Sequence, residues 1–326
     1  MKLSRRDAIR LAVTGTVGMM AAQGVRASDE RRSPVDRAKY DIIDVHCHPR
    51  WLGHNGRRMV ENMDRLGIKK AWLLSWEAPA SEISPSYHDR LNPLALRIRF
   101  EDVIAVSEAY PDRFIPGTTM DPRDPYAPQK LKSAVEIFGV RVFGEFKRRL
   151  RYDNPDCLRL FRVCGELGLP VLFHLDVVLP VGSIQTSWQW WYGGDIHAVE
   201  AALKACPETV FIGHAPGFWR EISGDADQEP ASYPRGKPIK PGGRLLKLLD
   251  TYDNLYCDIS AGSGYTALTR DLDFTRRFLI DYQDRILFGR DEFTSRHLDL
   301  LFSLDLPEPV LRKILAENAR KLVPDG

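Results

Sequence analysis

Apolar positions in this chain come in short runs, and several of those runs stop at a side chain able to bind a metal. Ile42-Ile43-Asp44-Val45 leads into His46, with His48 two residues on. Val171–Phe173 ends in His174, and Val210–Gly213 ends in His214. Ile286–Phe288 continues through Gly289 and Arg290 to Asp291. Short runs rich in β-branched and aromatic residues, bounded by turn signals, predict buried strands. The pattern predicts strands over 41–46, 70–76, 114–118, 140–145, 171–174, 210–214, 255–258 and 286–291. Helical spacing is predicted between them, over 57–66, 95–110, 127–138, 155–167, 195–205, 243–252 and 271–282. Pro155 sits where a first helical turn tolerates proline, and Gly67, Gly139 and Gly168 follow helices where a cap glycine is expected. Strands alternating with helices predict a parallel sheet with crossover helices. Eight strand candidates fit a (β/α)8 TIM barrel, whose strand ends converge on one mouth. A doubly wound open sheet is the rival, but it gathers ligands at a single switch point.

Composition narrows the class without naming the chemistry. Of 326 residues, 44% are hydrophobic and 28% charged, which is ordinary for a globular protein. A net charge of +2 gives no basic surface for nucleic acid, and the local cluster Lys147-Arg148-Arg149 is short. Five cysteines cannot all pair within one chain, and Cys157 and Cys164 fall too far apart along a helix to bridge. No obligatory disulfide framework is expected. Lys2, Arg5 and Arg6 precede a short apolar stretch over 11–22, and Val25-Arg26-Ala27 resembles a small-residue cleavage site. Ser4-Arg5-Arg6-Asp7 resembles a twin-arginine export signal. The expected organisation is a signal peptide over 1–27, a polar linker over 28–39 and one barrel over 40–326, with a periplasmic or exported location. An uncleaved anchor built on the same stretch is the alternative.

The candidate chemistry lies at the strand ends. His46 and His48 are two apart, so both imidazoles face one way. Glu145 and Lys147 share a face in the same manner. Loops over 176–194 and 216–241 carry Trp188, Trp190, Trp191, Tyr192, Phe218, Trp219, Tyr233 and Arg235. Those aromatics either sit over the mouth, where specificity is built, or pack the loops onto the body.

From Asp41 to Leu322 the chain resembles the amidohydrolase superfamily, and within it the amidohydrolase-related branch that includes metal-dependent decarboxylases. The resemblance rests on Asp44-Val45-His46-Cys47-His48, Phe173-His174-Leu175, Ile212-Gly213-His214-Ala215, Leu287-Phe288-Gly289-Arg290-Asp291 and Glu317-Asn318-Ala319. It implies that His46, His48, His174 and Asp291 hold a divalent ion, commonly zinc. It implies that His214 either binds a second ion or steers substrate and water. Asp291 would be general base as well as ligand. Glu145 ends its apolar run as the bridging glutamate does in binuclear and TatD-like relatives, so it is assigned as a ligand, for one or two ions in all. A rim ion pair with Lys147 or Arg148 is the bland alternative. Lys147, Arg148, Trp219 and Asp258 are assigned to substrate, although Asp258 could equally cap the segment after it. Arg290 stands where the branch usually has a small residue; it is expected to point outward or to pair with an acid such as Glu292.

These residues imply a metal-dependent hydrolase acting on an amide, lactone or ester carbonyl. A non-oxidative decarboxylase of a hydroxyaromatic or related acid is the second reading, and a TatD-like nuclease the third. A catalytically silent binding protein would keep the barrel and lose the ion. A small-molecule substrate is expected, with no nucleic acid, no stable membrane span after processing, and homo-oligomerisation left open.

Overall fold

The computed structural model describes residues 37–77, 98–177, 191–228 and 238–324. The amino-terminal signal and most of the linker lie outside these, as do Trp188, Trp190, Tyr233 and Arg235. Eight parallel strands form one sheet in sequence order: β1 Ile43–Cys47, β2 Lys70–Leu73, β3 Phe114–Thr118, β4 Val142–Phe146, β5 Val171–His174, β6 Phe211–His214, β7 Leu255–Asp258 and β8 Ile286–Leu287. Across the remaining seam, Val45 N donates to Phe288 O at 3.0 Å and Asp291 N to His46 O at 2.9 Å. The fold is a (β/α)8 TIM barrel, as the alternation of elements predicts.

Helices run between the strands, including Gly56–Leu66, Ala127–Phe138, Pro155–Glu166, Ile196–Ala205, Arg244–Thr251 and Leu272–Asp281. Their ends follow local chemistry. The Asn55 side chain accepts from Arg58 N, Asp195 from Ala198 N and Asp271 from Phe274 N. Gly67 and Gly139 close their helices at φ 74° and 64°, a backbone region that disfavours a Cβ. Ala261–Thr269 is a helix that the apolar pattern does not predict. Nor does it predict the helices after Asp291, Arg296–Ser303 among them.

Two apolar layers position the mouth. Ile43, Val45, Trp72, Leu74, Val142, Leu172, Ile212, Tyr256 and Leu287 fill the barrel interior, together with Ala316, Ala319 and Val323 of the last helical segment. Asn318 ties that segment to β8, its Nδ2 donating to Gln283 O at 2.7 Å and Ile286 O at 2.8 Å. The larger layer, with Phe143, Phe146, Phe161, Phe173, Phe211 and Leu279, lies between strands and helices. All five cysteines are buried free thiols.

Candidate metal centre

β5, β6 and β7 alternate strictly. Leu172, Ile212 and Tyr256 point inward, so His174, His214 and Asp258, two residues later, do so as well. β1 and β4 do not alternate strictly. The β1–β2 register shifts between Asp44 and Cys47, and the β4–β5 register between Phe143 and Phe146. These irregularities turn His46 and Glu145 into the barrel although Val45 and Val142 are already interior.

Four groups converge at the mouth. His46 Nε2 lies 3.0 Å from His48 Nε2 and 3.6 Å from Asp291 Oδ1, and His48 Nε2 lies 3.4 Å from Asp291 Oδ1. Glu145 Oε2 stands 3.4 Å from His48 Nε2 and 3.9 Å from His46 Nε2. Metal bonds of about 2.0–2.1 Å at tetrahedral angles put ligand atoms about 3.3 Å apart, so these separations suit one small divalent ion.

The tautomers point the same way. His48 Nδ1 is 2.9 Å from the Leu74 carbonyl, which can only accept, so Nδ1 carries the proton. His46 Nδ1 is 2.7 Å from Asp258 Oδ2 and donates to that carboxylate. Both Nε2 lone pairs therefore face each other beside two carboxylates, an arrangement that requires a cation between them. Without metal, a proton supplies it. Burial opposes charging His46, but Asp291 and the Asp258 hydrogen bond prevail and raise its pKa to about 10.

Ser260 links this pair to the sixth strand. Its hydroxyl donates to Asp258 Oδ2 at 2.7 Å and accepts from His214 Nδ1 at 3.0 Å. His214 Nε2 is left as a lone pair facing the centre, 3.9 Å from both Glu145 Oε1 and Asp291 Oδ2. Burial and the neighbouring positive His46 lower the His214 pKa. Burial disfavours charge on Asp258, yet hydrogen bonds from His214 and His46 hold it far below the usual carboxylate range.

His174 takes a different place. Its Nδ1 is 2.5 Å from Glu145 Oε1 and its Nε2 2.8 Å from Asp176 Oδ2. Both ring nitrogens thus meet carboxylates. Burial and Lys147 oppose its charging, but Asp176 and Glu145 win and its pKa rises. Burial likewise disfavours the Glu145 anion, but His174 and Lys147 hold its pKa well below the usual range. The compact trios are His46–His48–Asp291 and His46–Glu145–His214, and they share His46. This geometry collects one centre. Of the one or two ions that the resemblance allows, a second one under His174 and His214 has no separate trio among the described residues.

The residues assigned to substrate are distributed unevenly. The buried Lys147 has its ammonium 4.4 Å from the Trp76 ring centre and 5.0 Å from that of Tyr192. The buried Arg148 lines a separate cavity of about 700 Å³, with Thr118, Thr119, Asp121 and Lys130. Trp219 is fully buried and donates its indole N–H to Asp258 O at 3.0 Å. With Phe218, it packs its loop onto the body. Asp258 is fully buried, and its oxygens are engaged by His46, Ser260 N and Ser260 Oγ. It sits behind the imidazoles and caps the segment after β7. Arg290 does turn to the helix side, but its partner is Asp44 at 2.6 Å, whereas Glu292 pairs with Arg296. Helix-side burial next to an acid on β1 outweighs the sequence-near choice.

Sequence reasoning did not find Asp176, Trp51 or Tyr152. Asp176 repeats the two-residue spacing of His46 and His48, a signal that was available. Trp51 donates to the Asp291 carbonyl at 2.8 Å, and the Tyr152 hydroxyl donates to the His174 carbonyl at 2.5 Å. No local pattern marks either.

A family model described as amidohydrolase matches residues 43–324. No curated protein matches the chain. Among solved structures, an uncharacterised TIM-barrel protein of Bordetella bronchiseptica is similar at 18% identity and a TM-score of 0.58, covering 86% of this chain and 98% of that one. A dihydroxybenzoic acid decarboxylase of Polaromonas, with bound manganese and an inhibitor, is similar at 19% identity and a TM-score of 0.54, covering 87% and 96%. A probable 2-pyrone-4,6-dicarboxylic acid hydrolase of Acinetobacter baumannii, with citric acid bound, is similar at 11% identity and a TM-score of 0.56, covering 86% and 98%. These likenesses establish the shared barrel.

Proposed function

Since the chain belongs to the amidohydrolase family, we propose that it is a metal-dependent hydrolase of an amide, lactone or ester carbonyl. The observation that carries this reading is the inward-facing Nε2 pair of His46 and His48 flanked by Asp291 and Glu145. His46, His48 and Asp291 would hold the ion, with Glu145 as the adjoining carboxylate; zinc is the proposed metal. Such an ion supplies Lewis-acid polarisation of a substrate oxygen and makes water more acidic. The protein's own groups do the rest. Asp258 orients His46, and Ser260 keeps the Nδ1 proton on His214, so that His214 Nε2 can accept a proton inside the mouth. Asp291 has a side chain 18% exposed, more open than the imidazoles around it, and can pass a proton to a leaving group at the mouth. Lys147, buried against Trp76 and Tyr192, offers its charge to a substrate carboxylate.

A second reading, non-oxidative decarboxylation, is favoured by one observation: the two ligand trios share His46 and so describe one ion. The manganese-containing Polaromonas decarboxylase has a similar barrel. Purified protein, chelated and then reloaded with zinc or manganese, would be offered lactones, amides and hydroxyaromatic acids. Metal-dependent release of a new carboxylate supports hydrolysis; carbon dioxide release supports the second reading. Equal turnover with and without metal would remove both. We propose separately that residues 1–27 form an export signal, 28–39 a linker and 40–326 the barrel, which intact-mass measurement of periplasmic protein, expected to begin at Ser28, would test.

A further inference from the structure

The seam between β8 and β1 is where the barrel is least secured by its ladder, since β8 is only two residues long. Two metal-centre residues, His46 and Asp291, stand on opposite sides of it. Behind the seam lies a fully buried polar chain that the proposed chemistry does not use. Asp44 Oδ1 accepts from His46 N at 3.1 Å and from Arg290 N at 3.0 Å, so one oxygen holds the backbone of both walls. Arg290 Nε donates to Asp44 Oδ2 at 2.6 Å, with both side chains 0% exposed. The guanidinium then extends to the helix Gly56–Leu66, where Nη1 donates to Asn62 Oδ1 at 2.6 Å. Asn62 Nδ2 donates in turn to Phe293 O at 2.9 Å, in the loop that carries Asp291. The bonds run from β1 through Arg290 and Asn62 back to that loop and fix Asp291 from both sides.

We infer that Arg290 is a positioning residue: with Asp44 and Asn62, it sets the distance of Asp291 from His46 and His48 and thereby the affinity of the centre for its ion. The inference rests on the metal reading above. A buried ion pair is weak evidence for stability, because desolvation offsets most of its attraction, so a geometric role is the better account of its presence. Groups behind a metal ligand typically change affinity by about 10- to 100-fold.

The test separates geometry from stability. In the double variant Arg290→Met/Asp44→Asn no buried charge is left unpaired, and the carboxamide oxygen introduced at position 44 can still accept from both backbone N–H groups. The guanidinium bridge is lost, and with it the bonds of the Cys47 thiol to Asp44 Oδ2 and to Arg290. Zinc affinity would be measured by chelator competition, alongside thermal melting of the metal-free protein. The expected result is a melting temperature near wild type with zinc binding about 10- to 100-fold weaker. Asn62→Ala, which cuts the bridge at its other end, should weaken zinc binding in the same direction even if the double variant does not fold. Zinc binding equal to wild type in whichever of these variants folds would overturn the inference. Failure of wild type itself to bind zinc or manganese would instead sink the metal reading.

Discussion

At the scale of single residues, the centre is a cluster of buried nitrogen and oxygen donors, and the proton behaviour of the metal-free protein follows from their proximity. In metal-free protein the folded His46 pKa, about 10, stands above the unfolded value of 6.5. Between those values the folded state keeps a proton that the unfolded state has lost. Stability from this group is thus fully present below about pH 6.5 and is lost as pH rises towards 10. His174 acts in the same direction, since its pKa is also raised. His214 acts oppositely: its pKa is lowered, so its contribution is lost as pH falls below 6.5. Urea unfolding in chelator at pH 6, 8 and 10 should show declining stability, and saturating zinc should flatten the decline by replacing the proton. A metal-free protein equally stable across that range would contradict the assignment of His46 as the proton's seat.

At the scale of elements, the strand exits carry unusual backbone. Ala215, directly after His214, has φ 87° and ψ 171°, a region nearly reserved for glycine. Ala215→Gly should stabilise the protein by about 1 kcal/mol, seen as a rise of about 2 °C in Tm. Gly289 requires its lack of a side chain for a different reason: a Cβ there would lie 2.3 Å from Asp258 Oδ1. Gly289→Ala should cost about 1–3 kcal/mol and, by displacing Asp258, loosen His46; calorimetry together with zinc titration would read both effects. β3, β5 and β7 fall where the apolar pattern sets them, because strand periodicity is local. The register shifts in β1 and β4 leave no mark in that pattern, because they arise from pairing with a neighbouring strand.

For the whole molecule, loading the ion should stabilise the barrel through mass action, since the centre draws on β1, β4, β6 and β8 and exists only when they close. At an ion concentration about 100-fold above Kd, the gain is about 2.7 kcal/mol. Chelation should therefore lower Tm by about 5 °C and zinc restore it. An unchanged Tm on chelation, in protein shown to contain metal beforehand, would mean that the ion sits elsewhere.

The sequence by itself determined the donors and their stations: imidazoles and carboxylates at the ends of strands that must be parallel, because helices intervene. His46, His48, Glu145, His214 and Asp291 were legible because each follows a short apolar run, and a run reports its own local periodicity. Only the tertiary structure decided which donors share a centre. It set His174 between Glu145 and Asp176, and placed Asp258 behind His46 across 212 residues of chain. It also joined Arg290 to Asp44 across 246. Such partnerships depend on sheet closure and on bulges that turn side chains across the pleat. Those are properties of neighbouring strands, which no single segment of sequence encodes.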